Sequence, residues 1–254
     1  MTARTDDFAL EALSDKIRAA DLHGRLTLAR EALPGPLVFT SSFGLEDQAL
    51  THAIMSSGHD IEIVTLDTGR LFQETYDVWV ETERRYARRI AAYAPDATDV
   101  EAYVRSEGVN GFRHSIASRH SCCGLRKVKP LKRALAGASG WITGLRAEQS
   151  AFRHATPFVS NDESHGLLKI NPLADWTRAD VERFIAEHSI PYNTLDDRGF
   201  RSIGCAPCTR AIRPGESERA GRWWWENEDK KECGLHVNAD GKLARSPAAS
   251  GAST

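Results

Sequence analysis

Short apolar runs alternate with helix-like stretches along the first two thirds of the chain, and this alternation constrains the fold more than any other feature. Residues 37–40, 61–66, 90–93 and 141–144 are predicted strands, and a helix is predicted after each of the first two. Strands that alternate with helices predict an α/β protein, with a parallel twisted sheet and helices on both faces.

The helical periodicity is clearest at the two ends of this region. Residues 6–32 are predicted to form one amphipathic helix, and the next two helices are predicted over residues 46–55 and up to about residue 89. Residues 177–180 form a capping box, which predicts the start of a further helix.

The chain divides into four predicted parts. Residues 1–34 form an N-terminal helical segment and residues 35–210 the α/β domain. Residues 211–240 are an irregular tail, and residues 241–254 are predicted to be disordered because they are small and polar.

Three loops follow predicted strands, and in parallel sheets ligands bind beyond the carboxyl ends of the strands. These loops are residues 41–47, 67–70 and 144–153. Small residues in the first loop let backbone N–H groups face a phosphate, although neither a Walker lysine nor a Gly-x-Gly-x-x-Gly pattern is present. An ordinary strand-to-helix turn is the alternative for that loop alone, and the convergence of all three favours a nucleotide site.

Charge and hydropathy disfavour several functional classes. The chain has 33 Lys and Arg against 35 Asp and Glu, a balance that does not favour a nucleic-acid partner but allows a local basic cluster for a small anion. No apolar run approaches the roughly 20 residues that span a membrane, and the first residues lack the apolar core of a signal peptide. We therefore expect a cytoplasmic protein with no membrane partner, in which thiols stay reduced.

Four of the five cysteines form two close pairs, Cys122 with Cys123 and Cys205 with Cys208. Paired cysteines in a cytoplasmic protein indicate metal or redox chemistry. A structural zinc site usually has two spaced Cys-x-x-Cys pairs, so a vicinal pair fits a larger iron–sulfur cluster better. Two unrelated pairs of buried thiols are the alternative.

The fifth cysteine, Cys233, stands among Lys230, Lys231 and His236. Nearby cations stabilise a thiolate and favour a nucleophilic role. A stray exposed cysteine is the alternative reading.

Two further segments combine basic and aromatic residues. Arg126, Lys127 and Lys129 follow the vicinal cysteines, and two arginines flank Ala220-Gly221 immediately before three consecutive tryptophans. Such cations can hold a phosphate or sulfate. A solvated helix face and a packing anchor for the tail are the respective alternatives.

These motifs together resemble the assimilatory adenosine 5′-phosphosulfate reductases, the iron–sulfur-containing branch of the 3′-phosphoadenosine 5′-phosphosulfate reductase family. The resemblance runs from about residue 37 to 236 and rests on residues 66–70, the two cysteine pairs, residues 203–210, residues 221–225 and the terminal Glu-Cys-Gly-Leu-His at 232–236. It implies an adenine nucleotide alpha hydrolase-like fold. The arginine after residues 144–150 comes one position earlier than in some relatives, and a family histidine is shifted near His120.

The resemblance also implies specific roles for residues. It implies a [4Fe–4S] cluster on Cys122, Cys123, Cys205 and Cys208, and Cys233 as the nucleophile. The residues that it places against the substrate are Ser41, Phe43, Gly44, Leu66, Lys127, Gly144, Arg153, Arg219, Arg222 and His236. The residues that it places near the cluster are Asp47, Thr68 and Trp223.

The expected reaction is reduction of adenosine 5′-phosphosulfate to sulfite and AMP through an S-sulfocysteine, within sulfate assimilation and cysteine biosynthesis. If four cysteines hold the cluster, none is left to release the product, so thioredoxin or a similar dithiol is the expected donor. A homo-oligomer is also expected from the family.

Three rival functions stay open on sequence alone. An ATP pyrophosphatase of the same architecture would need a Ser-Gly-Gly-x-Asp-Ser loop, from which residues 41–47 depart. A cluster-based sensor would have no need for the terminal Glu-Cys-Gly-Leu-His. The sister reductase for the 3′-phosphorylated nucleotide is disfavoured by the cysteine pairs.

Overall fold

The computed structural model of the chain describes residues 7–150 and 153–226. The helices in these residues are α1 Asp7–Ala19, α2 Leu22–Ala32, α3 Leu45–Ser57, α4 Gln73–Tyr86, α5 Ala97–Glu107, α6 Ile116–Cys123, α7 Lys129–Ala134 and α8 Arg178–Glu187. The strands are β1 Leu37–Ser41, β2 Glu62–Thr65, β3 Ala91–Ala92, β4 Gly140–Ile142, β5 Val159–Asp162 and β6 Leu167–Ile170. A π-helical turn, Gly124–Val128, joins α6 to α7.

The six strands form one sheet in the order β3-β2-β1-β4-β6-β5. All neighbouring pairs are parallel except β5 and β6, which form an antiparallel edge. The chain moves outward from β1 in one direction and then resumes with β4 on the other side of β1. The point between β1 and β4 is therefore a topological switch point, where open α/β sheets bind their ligands.

The sheet carries an apolar layer on each face. Phe39 of β1 packs in the larger cluster with Ile17 of α1, whereas Val38 packs with Trp141 and Leu131 on the other face. Successive residues of a strand point to opposite faces, so one strand serves both layers. The predicted α/β fold with helices on both faces is confirmed, with one antiparallel edge strand added to the parallel sheet.

The N-terminal segment differs from the single helix predicted over residues 6–32. It forms two helices, because Asp21 leaves the helical conformation and its side chain accepts a hydrogen bond from the Gly24 N–H at 2.8 Å. An aspartate in this position caps a new helix and ends the previous one. Both helices pack against the larger core cluster through Ile17 and Leu26.

Beyond α8 the described chain is irregular, as predicted. It contains short 3₁₀ turns at Asp196–Arg198 and Ala206–Cys208 and a single bridge between Thr209 and Arg222. This segment folds back over the carboxyl ends of the strands, because residues 200–204 and 218–223 line the same cavity as the strand-end loops. In the part of the chain that the structure describes, no helix is long and apolar enough to cross a membrane.

Candidate active site

A cavity of about 190 Å³ opens at the carboxyl ends of β1, β2 and β4. We call it the strand-end cavity. The three loops predicted to converge contribute to it through Ser41, Thr68 and Gly144. The three strand-end loops therefore meet at one cavity.

The loop between β1 and α3 presents the start of a helix to this cavity. Gly44 is the N-cap residue of α3, and both Gly44 and Leu45 line the cavity. Within the described part of the chain, no side chain caps this helix. A helix start without a side-chain cap is a site for an anion, because its N–H groups lack intrahelical partners.

Phe43, in contrast, does not line the strand-end cavity. Its backbone adopts a left-handed conformation with φ of 59°, and its side chain is fully buried and stacks on Trp79 with ring centroids 5.4 Å apart. The side chain therefore anchors the loop to the core, and the predicted substrate contact has no support from its placement.

Asp47 lies in the wall of the same cavity. Its Oδ2 accepts hydrogen bonds of 2.6 Å from both the N–H and the hydroxyl of Ser42. Burial raises the pKa of Asp47 to about 6, although the Ser42 hydrogen bonds oppose the shift. A side chain at Gly144 would collide with Oδ1 of Asp47, so glycine is required there. The resemblance places Asp47 near the cluster, but Asp47 is not among the residues that line the cavity formed by the four paired cysteines, described below.

Among the described residues, six cations line the strand-end cavity. Arg178 and Arg201 pair with Asp196, and the other four are Lys127, Arg153, Arg219 and Arg222. Arg153 donates to Gln149 Oε1 at 2.6 Å, and Arg219 donates to the Ser202 hydroxyl at 3.4 Å. These four residues were predicted from the resemblance to contact the substrate. The structure brings them together, and their combined charge suits a small, multiply charged anion.

An ion network behind the cations was not predicted. Arg146 is completely buried, and its guanidinium contacts Glu46 and Glu218 at 2.8 Å each. The pKa of Glu218 is raised by burial and by the neighbouring Glu46 carboxylate. Burial is the largest influence on Glu46 and opposes its ionisation, yet Arg146, a backbone hydrogen bond, Arg178 and Gln149 together outweigh it and lower the pKa of Glu46. The sequence gives no signal for partners that lie up to 100 residues apart.

A second, smaller cavity lies beside the first, and all four paired cysteines line it. We call it the cysteine cavity. Cys122 and Cys123 stand at the C-terminal end of α6, while Cys205 and Cys208 bracket a 3₁₀ turn. The two cysteine pairs, which are 82 residues apart in the sequence, therefore line one cavity.

Residues from other elements fix the Cys205–Cys208 turn. The Thr68 hydroxyl lies 3.2 Å from Cys205 Sγ, and the Ala206 N–H donates to the Arg70 carbonyl at 2.8 Å. The Trp223 N–H donates to the Cys208 carbonyl at 3.1 Å, and its ring lines the cysteine cavity. Thr68 and Trp223 thus lie next to the cysteines, and their proximity to a cluster stays a prediction.

The thiols and arginines of the cysteine cavity suit a metal cluster that is bound through thiolates. Burial raises the pKa of the Cys122 thiol, and it raises that of Cys208 to about 11, with neighbouring cysteines adding to both shifts. Arg126 and Arg222 line this cavity, and each keeps a buried Nε–H without a hydrogen-bond acceptor among the described residues. Iron would stabilise the thiolates, and the sulfur atoms of a cluster would accept from these N–H groups.

A single metal ion fits the described residues less well. Within residues 7–150 and 153–226, no three His, Cys, Asp or Glu side chains converge so that they could hold one ion. A cubane cluster takes one thiolate at each iron corner, so its four ligands need not converge on one point.

The two cavities share a wall formed by Lys127, Arg222 and Trp223. An anion in the strand-end cavity would therefore lie next to whatever the cysteines hold. The predicted nucleophile Cys233 and the predicted contact His236 lie outside the described residues.

Fold and site together define an α/β protein with a cation-lined cavity at the sheet's switch point and a four-cysteine cavity beside it. The family model of the phosphoadenosine phosphosulfate reductase domain matches residues 36–211. The chain belongs to this family, and the prediction that it is an enzyme of this kind is confirmed.

Individual relatives agree with this assignment. The chain is 54% identical to an adenosine 5′-phosphosulfate reductase of Sinorhizobium fredii (strain USDA 257) over 237 residues, which cover 93% of this chain and 94% of that relative. It is also 54% identical over 200 residues to an enzyme of that name from Allochromatium vinosum, covering 79% of this chain and 78% of that relative. The crystal structure of phosphoadenylyl-sulfate reductase from Candida auris, a phosphate complex, is similar with a TM-score of 0.71 and 25% identity, covering 84% of this chain and all of that one.

Proposed function

We propose that this protein reduces adenosine 5′-phosphosulfate to sulfite and AMP, with thioredoxin or a similar dithiol as the donor, in sulfate assimilation. The relatives that carry this name support the proposal. The observation that carries it furthest is the wall of Lys127, Arg222 and Trp223 that the strand-end cavity and the cysteine cavity share.

The strand-end cavity supports binding of this nucleotide. The loop around Ser41 and Gly44, with Leu66 and Gly144, would line the nucleoside end. The four cations would hold the phosphosulfate, since charge-assisted hydrogen bonds to phosphate and sulfate oxygens are the strong ones. We propose this division because the small residues and the cations come from different segments of the wall.

We propose that Cys122, Cys123, Cys205 and Cys208 hold a [4Fe–4S] cluster. Their common cavity and the acceptor-free Nε–H groups of Arg126 and Arg222 support this assignment. When bound, the cluster would order the two cysteine segments and modulate the electrostatic potential around the adjacent Lys127.

The chemistry that we propose is two thiol displacements. The Cys233 thiolate attacks the sulfur of the sulfuryl group, a new S–S bond forms, and the S–O bond breaks so that AMP leaves with the electron pair. A donor thiolate then attacks Cys233 Sγ, and sulfite leaves with the electrons of the broken S–S bond. The second donor thiol resolves the mixed disulfide and regenerates Cys233, so two electrons pass from the dithiol to sulfur.

The test is sulfite release by anaerobically purified protein with reduced thioredoxin. We expect rapid release from adenosine 5′-phosphosulfate, little from its 3′-phosphorylated form, and none from a Cys233→Ser variant with a normal iron content. Equal sulfite release from both nucleotides would support the proposed reaction but refute the proposed substrate preference. No release from either, with iron in place, would overturn the proposal in favour of an adenylating or sensing role.

A further inference from the structure

The described chain ends at a buried ion pair that the proposed chemistry does not use. Arg119 lies on α6, three residues before Cys122, and Glu226 is the last described residue before the segment that carries Cys233. Arg119 Nε and Nη2 donate to the two carboxylate oxygens of Glu226 at 2.7 and 2.8 Å. The two side chains are 0% and 4% exposed.

A pair with this geometry holds two chain segments in one arrangement. A two-point guanidinium–carboxylate contact fixes orientation as well as distance. Moving the two side chains apart would leave each charge buried without its partner, so the contact resists separation. Glu226 is therefore fixed on the helix that carries two of the four paired cysteines.

Trp223 extends the same arrangement toward the cavities. The guanidinium groups of Arg119 and Arg222 both lie over its indole ring, each 4.6 Å from a ring centroid. Its backbone adopts a left-handed conformation with φ of 40°, which a tryptophan keeps only where the surroundings hold it. Arg119 thus contacts both Glu226 and the Trp223 ring. Arg222 contacts the same ring, and Trp223 and Arg222 belong to the wall that the two cavities share.

We propose that Arg119 and Glu226 are positioning residues, which fix the start of the Cys233 segment beside the substrate. This inference rests on the proposed function. Cys233 follows Glu226 by seven residues, a span of at most roughly 24 Å when fully extended. Fixing Glu226 near the shared wall therefore raises the effective concentration of the nucleophile at the sulfuryl group.

The test separates positioning from folding by measuring the first chemical step alone. Wild-type protein and a Glu226→Gln variant are mixed with adenosine 5′-phosphosulfate without a dithiol, and the rate at which S-sulfonated chain appears is followed by intact mass. We expect the variant to be slower by about 10- to 100-fold, the loss typical of a misplaced reacting group. AMP affinity and iron content should stay within about twofold of the wild type, because the four cations and the cysteines are unchanged.

Two further variants serve as controls. Glu81→Gln makes the same change in an exposed pair with Arg84 on α4, and it should react at the wild-type rate. Arg119→Lys keeps the buried charges but loses the two-point contact. It should retain iron and react at an intermediate rate, and it decides the question if Glu226→Gln fails to fold.

Each outcome has one meaning. A wild type that never becomes S-sulfonated would refute the proposed function, and the inference would fall with it. A wild type that reacts, together with variants that react as fast, would overturn the positioning role alone. If Glu226→Gln and Arg119→Lys both lose AMP affinity and iron in parallel with the reaction rate, the pair is only a structural contact. That result would also overturn the positioning role.

Discussion

At the scale of single residues, the structure alters the protonation of Asp47. It lies in the strand-end cavity, where burial raises its pKa from 3.8 to about 6. Between about pH 4 and pH 6 the folded state binds this proton more tightly than the unfolded state does, so the free energy of unfolding falls as the pH rises. The penalty is absent well below pH 4 and complete above pH 6.

Asp47→Asn should remove this penalty. As the pH rises from 4 to 7.5, we expect the free energy of unfolding of the variant to increase by about 1 to 3 kcal/mol relative to that of the wild type. Each unit of pKa shift corresponds to about 1.4 kcal/mol. Denaturant titrations at several pH values measure the difference. The exposed Asp77→Asn on α4 is the matched control and should leave the profile of the wild type unchanged. A difference between Asp47→Asn and the wild type that is independent of pH would refute the assignment.

Residue-scale reasoning from sequence found the cysteines but not every side-chain direction. Residue type alone singled out the four paired cysteines, which the structure brings to one cavity, because close cysteine pairs are typical of metal and redox sites. It gave no indication that the Phe43 ring is buried in the core, on a backbone with a left-handed φ of 59°. It also missed Arg119 and Glu226, because any arginine and glutamate 107 residues apart are by default solvated.

At the scale of elements, Arg146 joins three parts of the molecule. It follows β4, contacts Glu46 at the start of α3 and contacts Glu218 in the C-terminal segment next to Arg219. The network therefore holds the cation-bearing segment over the strand ends.

Arg146→Met should break this connection. We expect a loss of about 3 to 5 kcal/mol in the free energy of unfolding, because two buried carboxylates lose their shared cation. Weaker binding of AMP should accompany it, since Arg219 loses its support. Denaturant unfolding and a nucleotide titration measure both effects. Arg84→Met, in an exposed pair on α4, should have neither effect, and an Arg146→Met protein as stable as that control would contradict the role.

The elements that the sequence mispredicted have physical explanations. The β5–β6 hairpin went unrecognised because β5 contains Asn161 and Asp162, which are rare in strands. Lys169 interrupts the apolar run of β6, yet it is buried with its ammonium 4.5 Å from the Trp141 ring centroid. Strand alternation and the strand-end rule, in contrast, are general enough to place the sheet and its three loops from sequence.

At the scale of the whole molecule, the two cavities differ in what surrounds them. The strand-end cavity lies on a sheet with an apolar layer on each face. The cysteine cavity rests on a small cluster that contains Tyr103, Phe112, Cys122 and Leu125. A metal centre on that side would therefore contribute more to local order than it contributes to the sheet.

Removal of iron should loosen one side of the molecule. After anaerobic treatment with a chelator, we expect residues 116–128 and 200–226 to become sensitive to protease while the sheet stays protected. Limited proteolysis with mass analysis measures this. A Cys208→Ala variant should give the same pattern without the chelator. Identical digestion of treated and untreated protein would contradict a cluster-dependent fold of these segments.

The most direct test of the account is the location of the covalent intermediate. Anaerobically purified protein is mixed with adenosine 5′-phosphosulfate in the absence of any dithiol, digested, and mapped by mass spectrometry. The account predicts one S-sulfonated residue, Cys233, that disappears with stoichiometric release of sulfite when reduced thioredoxin is added. Modification of any of the four paired cysteines instead, or sulfite release without a modified Cys233, would contradict it.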